Sequence, residues 1–472
     1  MSEPNLRSPE VAIVKEETPE AAIRIGFNQL GGISEFIQEK DTVFIKINLS
    51  LPQGFPVHNN LDSLKGLIKI CKRAGANKIS VGSYAYESIP IKIISDFTGI
   101  KELCEELGAN FLFLDNSDLY LDTKISKEDL SQKKQETLKS ITKEESEIEI
   151  PREILEADKL IFLNQVNVHP TFGLTLSLLS SYSMIPNKYQ SIEKFPSDKD
   201  AQINIQENYN EFLTSDIIEV FSVKKPDFVI NDLFFMMEGA GPFIYSDSNV
   251  KKTNLMVIGN DAISVDTITM RIMDLNVFKN DLMVKARENR LGPEKLSEIK
   301  IKGENVEDVQ FKPKLCHSEL QDIDLFNTSI KSGSVCSACF AKAYHLLNFI
   351  KTNMIKDLKY LKNWSFLIGK KPESPDNLEN IVIFGDCAIE STQNADFRKF
   401  KTKSLLFKKE KEKENKSILE LPGCPPKPFE CLKSIYDFFG KLTMPNLKFM
   451  LKEISQYYNK EYKKKVKIWE DL

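Results

Sequence analysis

A strand–helix–strand pattern near the start of the chain limits the possible fold more than any other feature. Residues 43–48 form an apolar run typical of a buried strand, and residues 78–81 form a second such run before Gly82. Between them, residues 61–74 have the periodicity of an amphipathic helix that ends at Gly75. Parallel strands joined by a helix form a βαβ unit. The sequence therefore predicts the α/β class with a mostly parallel sheet.

The same pattern continues further along the chain. Short apolar runs at residues 159–163, 228–230 and 255–259 each end in polar or glycine residues. Because the carboxyl ends of parallel strands meet at one edge of a sheet, and α/β proteins usually bind ligands there, these endings are candidate sites. Residues 121–147 are rich in Lys, Glu and Ser, which predicts a charged, solvated insertion.

Three segments follow from these patterns. We predict an α/β domain over residues 1–323, a smaller cysteine-containing α/β module over residues 324–445, and an amphipathic carboxy-terminal helix over residues 446–472.

Charge and hydropathy narrow the classes of partner and compartment. The net charge of −4 is the difference between 64 basic and 68 acidic residues, so no global field favours nucleic acid or an anionic membrane. The first 17 residues contain no apolar signal core, and we find no stretch that approaches the roughly 20 apolar residues of a membrane span. We therefore expect a cytoplasmic protein that does not cross a membrane.

Four of the eight cysteines occupy positions that favour a metal site. A reducing cytoplasm keeps thiols free, so clustered cysteines there indicate metal or redox roles. Cys336 and Cys339 precede a predicted helix, and Cys387 and Cys424 follow predicted strands. Because parallel strand ends share an edge, the four thiolates can meet at one point and match a [4Fe-4S] cluster. A structural zinc ion takes the same ligands, and unligated packing cysteines are a further alternative.

The order of the cysteine motifs is similar to a known module. A CxxC before a helix, then a strand with Gly-x-Cys-Ala, then a strand with Pro-Gly-Cys-Pro-Pro-x-Pro, resembles the cluster module of nickel–iron hydrogenase small subunits and the related complex I subunit. The resemblance spans roughly residues 334–440. It implies a proximal-type [4Fe-4S] cluster on these four cysteines, and it does not imply hydrogenase activity, because the chain carries no nickel-binding partner.

Polar groups before the cysteines resemble a second family. Lys46-Ile47-Asn48 ends a strand, His169 lies midway along this region, and Glu238-Gly239-Ala240-Gly241-Pro242 follows. In this order, with Asp266 near a helix start, they resemble the domain-of-unknown-function family 362 over roughly residues 11–309. That family has a lysine two residues before the histidine and a further lysine–asparagine pair. Here Asn167 and Leu179-Ser180 stand at those places, which removes positive charge from the site.

Candidate roles follow from residue chemistry, and each has a structural alternative. We predict Glu238 and His169 as catalytic groups, with a structural histidine as the alternative for His169. The predicted ligand-binding residues are Lys46, Asn48, Gly239, Gly241 and Asp266. Lys46 could instead snorkel at a strand end, and Asp266 could instead cap a helix that begins at Thr267.

The combination of modules sets the expected function. We predict an iron–sulfur protein with a redox or electron-transfer role, an iron–sulfur oxidoreductase if it is an enzyme, whose partner is a redox protein or a small anionic ligand. The alternative is a non-catalytic scaffold or docking subunit with a structural cluster or zinc.

Overall fold

The structure is a computed structural model. It describes residues 8–86, 89–115, 124–125, 148–186, 209–354, 363–376, 378–399 and 418–438. The predicted carboxy-terminal helix over residues 446–472 and nearly all of the predicted charged insertion over residues 121–147 lie outside these residues. The strands, in chain order, are β1 Glu10–Lys15, β2 Thr42–Lys46, β3 Lys78–Gly82, β4 Asn110–Phe111, β5 Lys124–Ile125, β6 Ile148–Glu149, β7 Lys159–Gln165, β8 Val168–His169, β9 Gly173–Leu174, β10 Phe228–Asp232, β11 Phe235–Glu238, β12 Asn249–Lys252, β13 Leu255–Gly259, β14 Lys300–Gly303, β15 Thr328–Ser332, β16 Trp364–Ile368, β17 Asn380–Phe384 and β18 Ile418–Leu421.

The predicted βαβ unit is present as β2, a helix over Leu61–Arg73 and β3. The α-helices are α1 Pro19–Gln29, α2 Leu61–Arg73, α3 Ile91–Thr98, α4 Ile100–Glu106, α5 Arg152–Leu155, α6 Ser177–Ser181, α7 Tyr209–Val223, α8 Ala262–Ile272, α9 Asp281–Glu288, α10 Val306–Val309, α11 Ser337–Asn353, α12 Asp386–Ser391, α13 Asp396–Lys399 and α14 Pro428–Phe438. Side-chain caps fix several starts: Thr18 accepts a hydrogen bond from Ala21 N, and Asn60 accepts one from Asp62 N.

One large sheet organises the amino-terminal region. Its eight strands run in the order β14-β1-β13-β10-β7-β2-β3-β4. Strands β10, β7, β2, β3 and β4 are mutually parallel, whereas β13 pairs antiparallel with both β1 and β10. The predicted α/β class with a mostly parallel sheet is thereby confirmed. The apolar runs predicted to be strands form β2, β3, β7, β10 and β13, because strands covered on both faces are continuously apolar.

A second, smaller sheet contains the cysteine loops. Strands β15, β16, β17 and β18 are adjacent in that order and all parallel. The sequence did not predict β15, whose residues are mostly half-buried and polar. The large apolar side chains Trp364, Phe366 and Phe384 pack with α11 and α14. Strand β15 begins shortly after residue 324. We therefore propose that the predicted domain boundary between residues 323 and 324 separates the two sheets.

The two sheets share apolar packing. Met237 and Phe243 follow β10 in the larger region, yet they belong to the core that surrounds Trp364 and Tyr344. Burial of such side chains contributes about 1.5–3 kcal/mol each. The shared core therefore places α11 beside the carboxyl-end loops of the large sheet. No helix in the described part of the chain is long and apolar enough to cross a bilayer.

Candidate functional site

The carboxyl ends of three adjacent parallel strands define one side of the candidate site. Strand β2 ends at Lys46, β7 at Gln165 and β10 at Asp232, and the three strands are neighbours in the sheet. Beyond this edge lies a cavity of about 200 Å³. Lys46, Asn48 and His169 line it from the amino-terminal region. The structure therefore brings together three of the predicted site residues.

Lys46 is a buried cation at the end of β2. Its side chain is 1% exposed, its Nζ donates a hydrogen bond to Ser180 Oγ, and it lies 5.7 Å from the ring centroid of Phe162. Burial without a compensating carboxylate lowers the pKa of Lys46 to about 7. The expected surface-snorkelling alternative for Lys46 is wrong, because its ammonium lies inside the protein.

Asn48 fixes the loop that follows β2. Its Oδ1 accepts a hydrogen bond from Gln165 N at 3.0 Å, and its own N–H donates to Asn59 Oδ1 at 2.6 Å. These bonds connect β2 to β7 beyond the last ladder pair. Asn48 therefore shapes the cavity wall through its side-chain carbonyl.

His169 lines the cavity as a neutral imidazole. Its Nδ1 accepts hydrogen bonds from the N–H groups of Thr171 and Phe172, both at 3.2 Å. A nitrogen that accepts two N–H bonds carries no proton, so the ring proton lies on Nε2. Burial lowers the pKa of His169 to about 4, consistent with this tautomer. Nε2–H is the group that His169 offers to a ligand.

Asn167 stands where the family pattern has a lysine; it lines the cavity, and its side chain holds two loops together. Its Nδ2 donates to Pro56 O at 2.6 Å, and its Oδ1 accepts from Met237 N at 2.8 Å. The side chain is 2% exposed. The amide thus joins the loop after β2 to β11. A lysine in this position could not accept the bond from Met237.

The structure does not bring Glu238 to the cavity. Its two carboxylate oxygens accept hydrogen bonds from Asn249 Nδ2 at 3.1 Å and Lys314 N at 3.2 Å. Gly239 and Gly241 beside it contact protein backbone. A Cβ at Gly239 would lie 2.4 Å from Asp247 O, and one at Gly241 would lie 2.2 Å from Val168 O. The glycines therefore permit close packing of this loop, whose next residue, Pro242, does line the cavity.

Asp266 lies within α8, and the expected helix-cap alternative for it is wrong. The cap of α8 is Asp261, which accepts a hydrogen bond from Ser264 N at 2.8 Å. Asp266 is buried and accepts bonds from Ser177 N, Ser177 Oγ, Leu178 N and Asn231 Nδ2. Burial raises the pKa of Asp266 to about 6. It does not line the cavity. Instead it fixes the start of α6, the helix that carries Ser180.

Helix α11 forms the opposite side of the cavity. The sequence predicted a helix here but did not indicate that it lines a site. Lys342 and His345 line the cavity from this helix. Lys342 Nζ is 3.2 Å from Tyr86 Oη, and His345 Nδ1 is 2.9 Å from Tyr245 Oη. Residues three apart share a helix face. The three-residue spacing of Lys342 and His345 could have indicated a shared polar face of the helix. Only the fold shows which element this face meets.

The four predicted cysteine ligands occupy neighbouring turns. Cys336 caps α11 and Cys339 lies in its first turn, Cys387 lies in the first turn of α12, and Cys424 follows β18. A Cβ at Gly385 would lie 3.6 Å from Cys339 Sγ and 3.7 Å from Gly423 O. The three cysteine-bearing turns are therefore neighbours, and the predicted ligand set stays a prediction.

The thiols are paired within this group. A hydrogen bond from the Cys339 thiol, with backbone N–H groups of the first turn of α11, lowers the pKa of Cys336 to about 6. Hydrogen bonding with Cys424 lowers the pKa of Cys387. The hydrogen bond with Cys336 and burial, together with charges on Cys336, Cys424 and Cys387, raise the pKa of Cys339 well above its ordinary value. Within the described residues, no three His, Cys, Asp or Glu side chains close on one point as ligands of a single metal ion do.

The remaining cysteines lie in other surroundings. Cys71 and Cys104 are in the core of the large sheet, and Cys431 is in the core of the small one. Burial raises the pKa of each of these three thiols to about 12. Cys316 lies 3.8 Å from Gly241 O. All four have the surroundings of packing residues.

The cavity lies directly beside the cysteine turns. Ser337 and Ala338 lie between Cys336 and Cys339, Pro425 follows Cys424, and all three line the same cavity as Lys46 and His169. The polar strand ends of the first region and the cysteine loops of the second thus form one site. The first of these parts also matches a known family of proteins.

Residues 43–271 match the family model of DUF362, a domain of unknown function. The match supports the predicted resemblance to this family over these residues. Lys46, Asn48, His169, Glu238, Gly239, Gly241 and Asp266 all fall inside the DUF362 region. No curated protein matches the chain.

Two solved structures are similar to part of the chain. The lactate racemase apoprotein from Thermoanaerobacterium thermosaccharolyticum is 14% identical, with a TM-score of 0.31 and coverage of 53% of this chain and 56% of that one. A protein from Thermotoga maritima is 15% identical, with a TM-score of 0.28 and coverage of 49% and 55%. The chain thus spans little more than half the length of each. These similarities carry no argument about function.

Replacing Glu238 with Gln is expected to have a small effect. The carboxylate is partly exposed and accepts two hydrogen bonds, which the Gln carbonyl retains in part. We expect a loss of about 1 kcal/mol or less in the free energy of unfolding. Ligand binding in the cavity should be unchanged. Denaturant unfolding and calorimetric titration measure the two effects, and a large loss of binding with normal stability would contradict this expectation and place Glu238 in the ligand site.

Proposed function

We propose that this chain is an iron–sulfur protein with a [4Fe-4S] cluster on Cys336, Cys339, Cys387 and Cys424. In this proposal, electrons pass to or from a ligand or partner held at the DUF362 region. The observation that carries the proposal is the position of the cavity. Its wall includes Ser337, Ala338 and Pro425, each adjacent in sequence to a proposed ligand. A group bound in the cavity would therefore lie next to the cysteines.

The donor set supports a cluster. Three neighbouring turns carry the four cysteines, and thiolates are the usual ligands of [4Fe-4S] clusters. Gly385 has a φ of 89°, a conformation that glycine adopts without strain, and this brings its loop against Cys339. The order of these motifs, which resembles the hydrogenase small-subunit module, supports the same ligands.

Backbone hydrogen bonds hold two of the cysteine turns together. Gly385 N donates to Leu421 O at 2.9 Å, and Asp386 N donates to Gly423 O at 3.1 Å. In return, Gly423 N donates to Asp386 Oδ1 at 2.8 Å. These bonds hold the turns of Cys387 and Cys424 side by side. Turns that the protein's own hydrogen bonds already hold together reduce the cost of ordering the loops on binding.

One-electron exchange is the chemistry that such a cluster supplies when bound. The protein would contribute a dry surrounding, since Tyr344, Phe384 and Leu421 are buried in the core beneath the turns. Apolar burial and hydrogen bonds to the sulfurs set the potential of such sites. On the other side of the turns, Lys342 and His345 face the cavity, where they would position the electron-exchanging ligand.

A redox titration tests this function. The full chain purified under anaerobic conditions should have a broad brown absorbance. Dithionite should bleach it and produce a paramagnetic signal in electron paramagnetic resonance, as expected of a one-electron cluster. An iron-containing protein that dithionite leaves unchanged would instead favour the scaffold function, in which the cluster is structural.

A further inference from the structure

We propose that the cavity binds a small organic anion that has an apolar body and a hydroxyl or amine donor. The ligand would be the molecule that the proposed function places beside the cysteines, and its redox role rests on that proposed function. The binding itself needs only the cavity. Three independent features of the cavity support it: its charge, an unused acceptor and its apolar wall.

The charged residues of the cavity are all basic. Lys46 and Lys342 line it, and among the described residues that line it there is no Asp or Glu. Lys46 is 1% exposed and bonded to a neutral serine. A buried cation without a paired anion is costly, and a carboxylate or phosphate on a ligand offsets that cost. An anionic ligand would therefore stabilise the protein by pairing with the Lys46 ammonium, and a neutral ligand would not.

Gln165 supplies an acceptor that the protein does not use. Its Nε2 donates to Phe235 O at 2.6 Å, which fixes the orientation of the amide. The opposite atom, Oε1, is buried without a partner among the described residues, and Gln165 lines the cavity. An unpaired buried acceptor costs about 1–3 kcal/mol. A hydroxyl or amine on the ligand, which can donate to Oε1, removes this cost.

The remaining wall is apolar, which fits a ligand with a hydrocarbon body. Leu49, Val57, Phe172, Leu179 and Phe243 line the cavity. Small-molecule sites commonly combine such a wall with a few polar groups that fix orientation. The volume of about 200 Å³ exceeds the roughly 150 Å³ of an engineered cavity that holds benzene. A ring with a short acidic substituent therefore fits.

Phenylacetate, a ring with a short acidic substituent, serves as the probe. Its binding is expected to weaken as the pH rises above about 7. Burial lowers the pKa of Lys46 to about 7, so the free cavity loses this positive charge at higher pH. Because the anion prefers the protonated form, affinity should fall by up to about tenfold per pH unit. His169, with a pKa of about 4, stays neutral throughout this range. The other titratable lining groups are Lys342, His345, Tyr84, Tyr86 and Tyr182.

Proton uptake provides the measurement. Calorimetric titrations between about pH 6 and pH 9, in two buffers that differ in ionisation enthalpy, should show proton uptake on binding above about pH 7. The Lys46→Met variant should show none. Equal proton uptake in that variant would assign the titration to another group.

Three related probes separate the charge from the donor. Phenylacetate carries the anion and the ring, mandelate adds a hydroxyl, and mandelamide keeps the ring and hydroxyl without the charge. Calorimetry on the full chain should give affinities in the order mandelate, phenylacetate, mandelamide. The hydroxyl should improve affinity by about two- to tenfold, and Gln165→Met should remove that gain.

Variants of the two lysines provide the decisive comparison. Lys46→Met and Lys342→Met should each weaken phenylacetate binding by about thirtyfold or more. The control is Lys351→Met, on the same helix as Lys342, because Lys351 pairs with Asp247 at 2.6 Å and does not line the cavity. It should leave affinity unchanged. Thermal unfolding of each variant shows whether it is folded.

The outcomes separate this inference from the proposed function. Mandelamide binding as tight as mandelate binding, or no binding of either anion at millimolar concentration, would overturn the inference. So would equal affinities in folded Lys46→Met, Lys342→Met and native protein. Iron content is measured on the same samples, and a protein without iron that still binds mandelate with the predicted lysine dependence would retain the inference while the proposed function fails.

Discussion

Replacement of Cys387 or Cys424 with Ser is expected to leave the anaerobically purified protein with little bound iron. The native chain is expected to hold about four iron atoms and about four sulfides. Each residue is the single cysteine of its own turn, so no neighbouring thiol can replace it. Gly385 brings the first turn against Cys339, and the hydrogen bonds between Asp386 and Gly423 join the two turns. Loss of one sulfur therefore leaves an incomplete ligand set. Iron and acid-labile sulfide analysis measures the effect.

The matched control for these variants is Cys431→Ala. Cys431 lies seven positions after Cys424 on α14, but its thiol is buried in the apolar core of the small sheet. Alanine is preferable to serine here because a buried hydroxyl would need a partner. The control should retain iron. Loss of iron from Cys431→Ala, with iron retained in Cys424→Ser, would show that the fourth ligand is assigned wrongly.

Replacement of Asp266 with Ala is expected to destabilise the protein by about 3 kcal/mol or more. The carboxylate accepts hydrogen bonds from Ser177 N and Oγ, Leu178 N and Asn231 Nδ2 inside the core. Removing it leaves these buried donors without an acceptor. Helix α6 also carries Ser180, which accepts the hydrogen bond from Lys46. The substitution should therefore distort the cavity as well as destabilise the protein. Urea unfolding measures the change in free energy.

Asp261→Ala on the same helix is the comparison for this prediction. Asp261 caps α8 through Ser264 N and Ser264 Oγ, and loss of such a cap typically costs about 1 kcal/mol. The pair of variants separates a buried anchor from a helix cap. Equal effects of the two substitutions would contradict the anchoring role that the structure gives Asp266.

Much of the fold was predictable because the central strands are buried on both faces. The runs that became β2, β7, β10 and β13 are continuously apolar, and that pattern identifies strands in covered parallel sheets. Strand β15 was missed because its residues are half-buried and polar. Antiparallel pairing of β13 was also beyond prediction, since partner direction depends on contacts between residues far apart in sequence.

The site was predictable only in part, for a related reason. Lys46 and His169 line the cavity as expected of residues at strand ends. Glu238 belongs to the same motif order, but it lies in β11 opposite Asn249, and its carboxylate accepts hydrogen bonds from Asn249 Nδ2 and Lys314 N. Lys342 and His345 complete the cavity from the other sheet's helix. Only packing of the two regions reveals them.

Metal and sulfide analysis of the native full chain, purified without oxygen, tests the central claim most directly. The claim is that the converging turns of Cys336, Cys339, Cys387 and Cys424 hold an iron–sulfur cluster beside the cavity of the DUF362 region. It predicts brown protein with about four iron atoms and about four acid-labile sulfides per chain, and little zinc. Colourless protein with about one zinc per chain and no sulfide would contradict it.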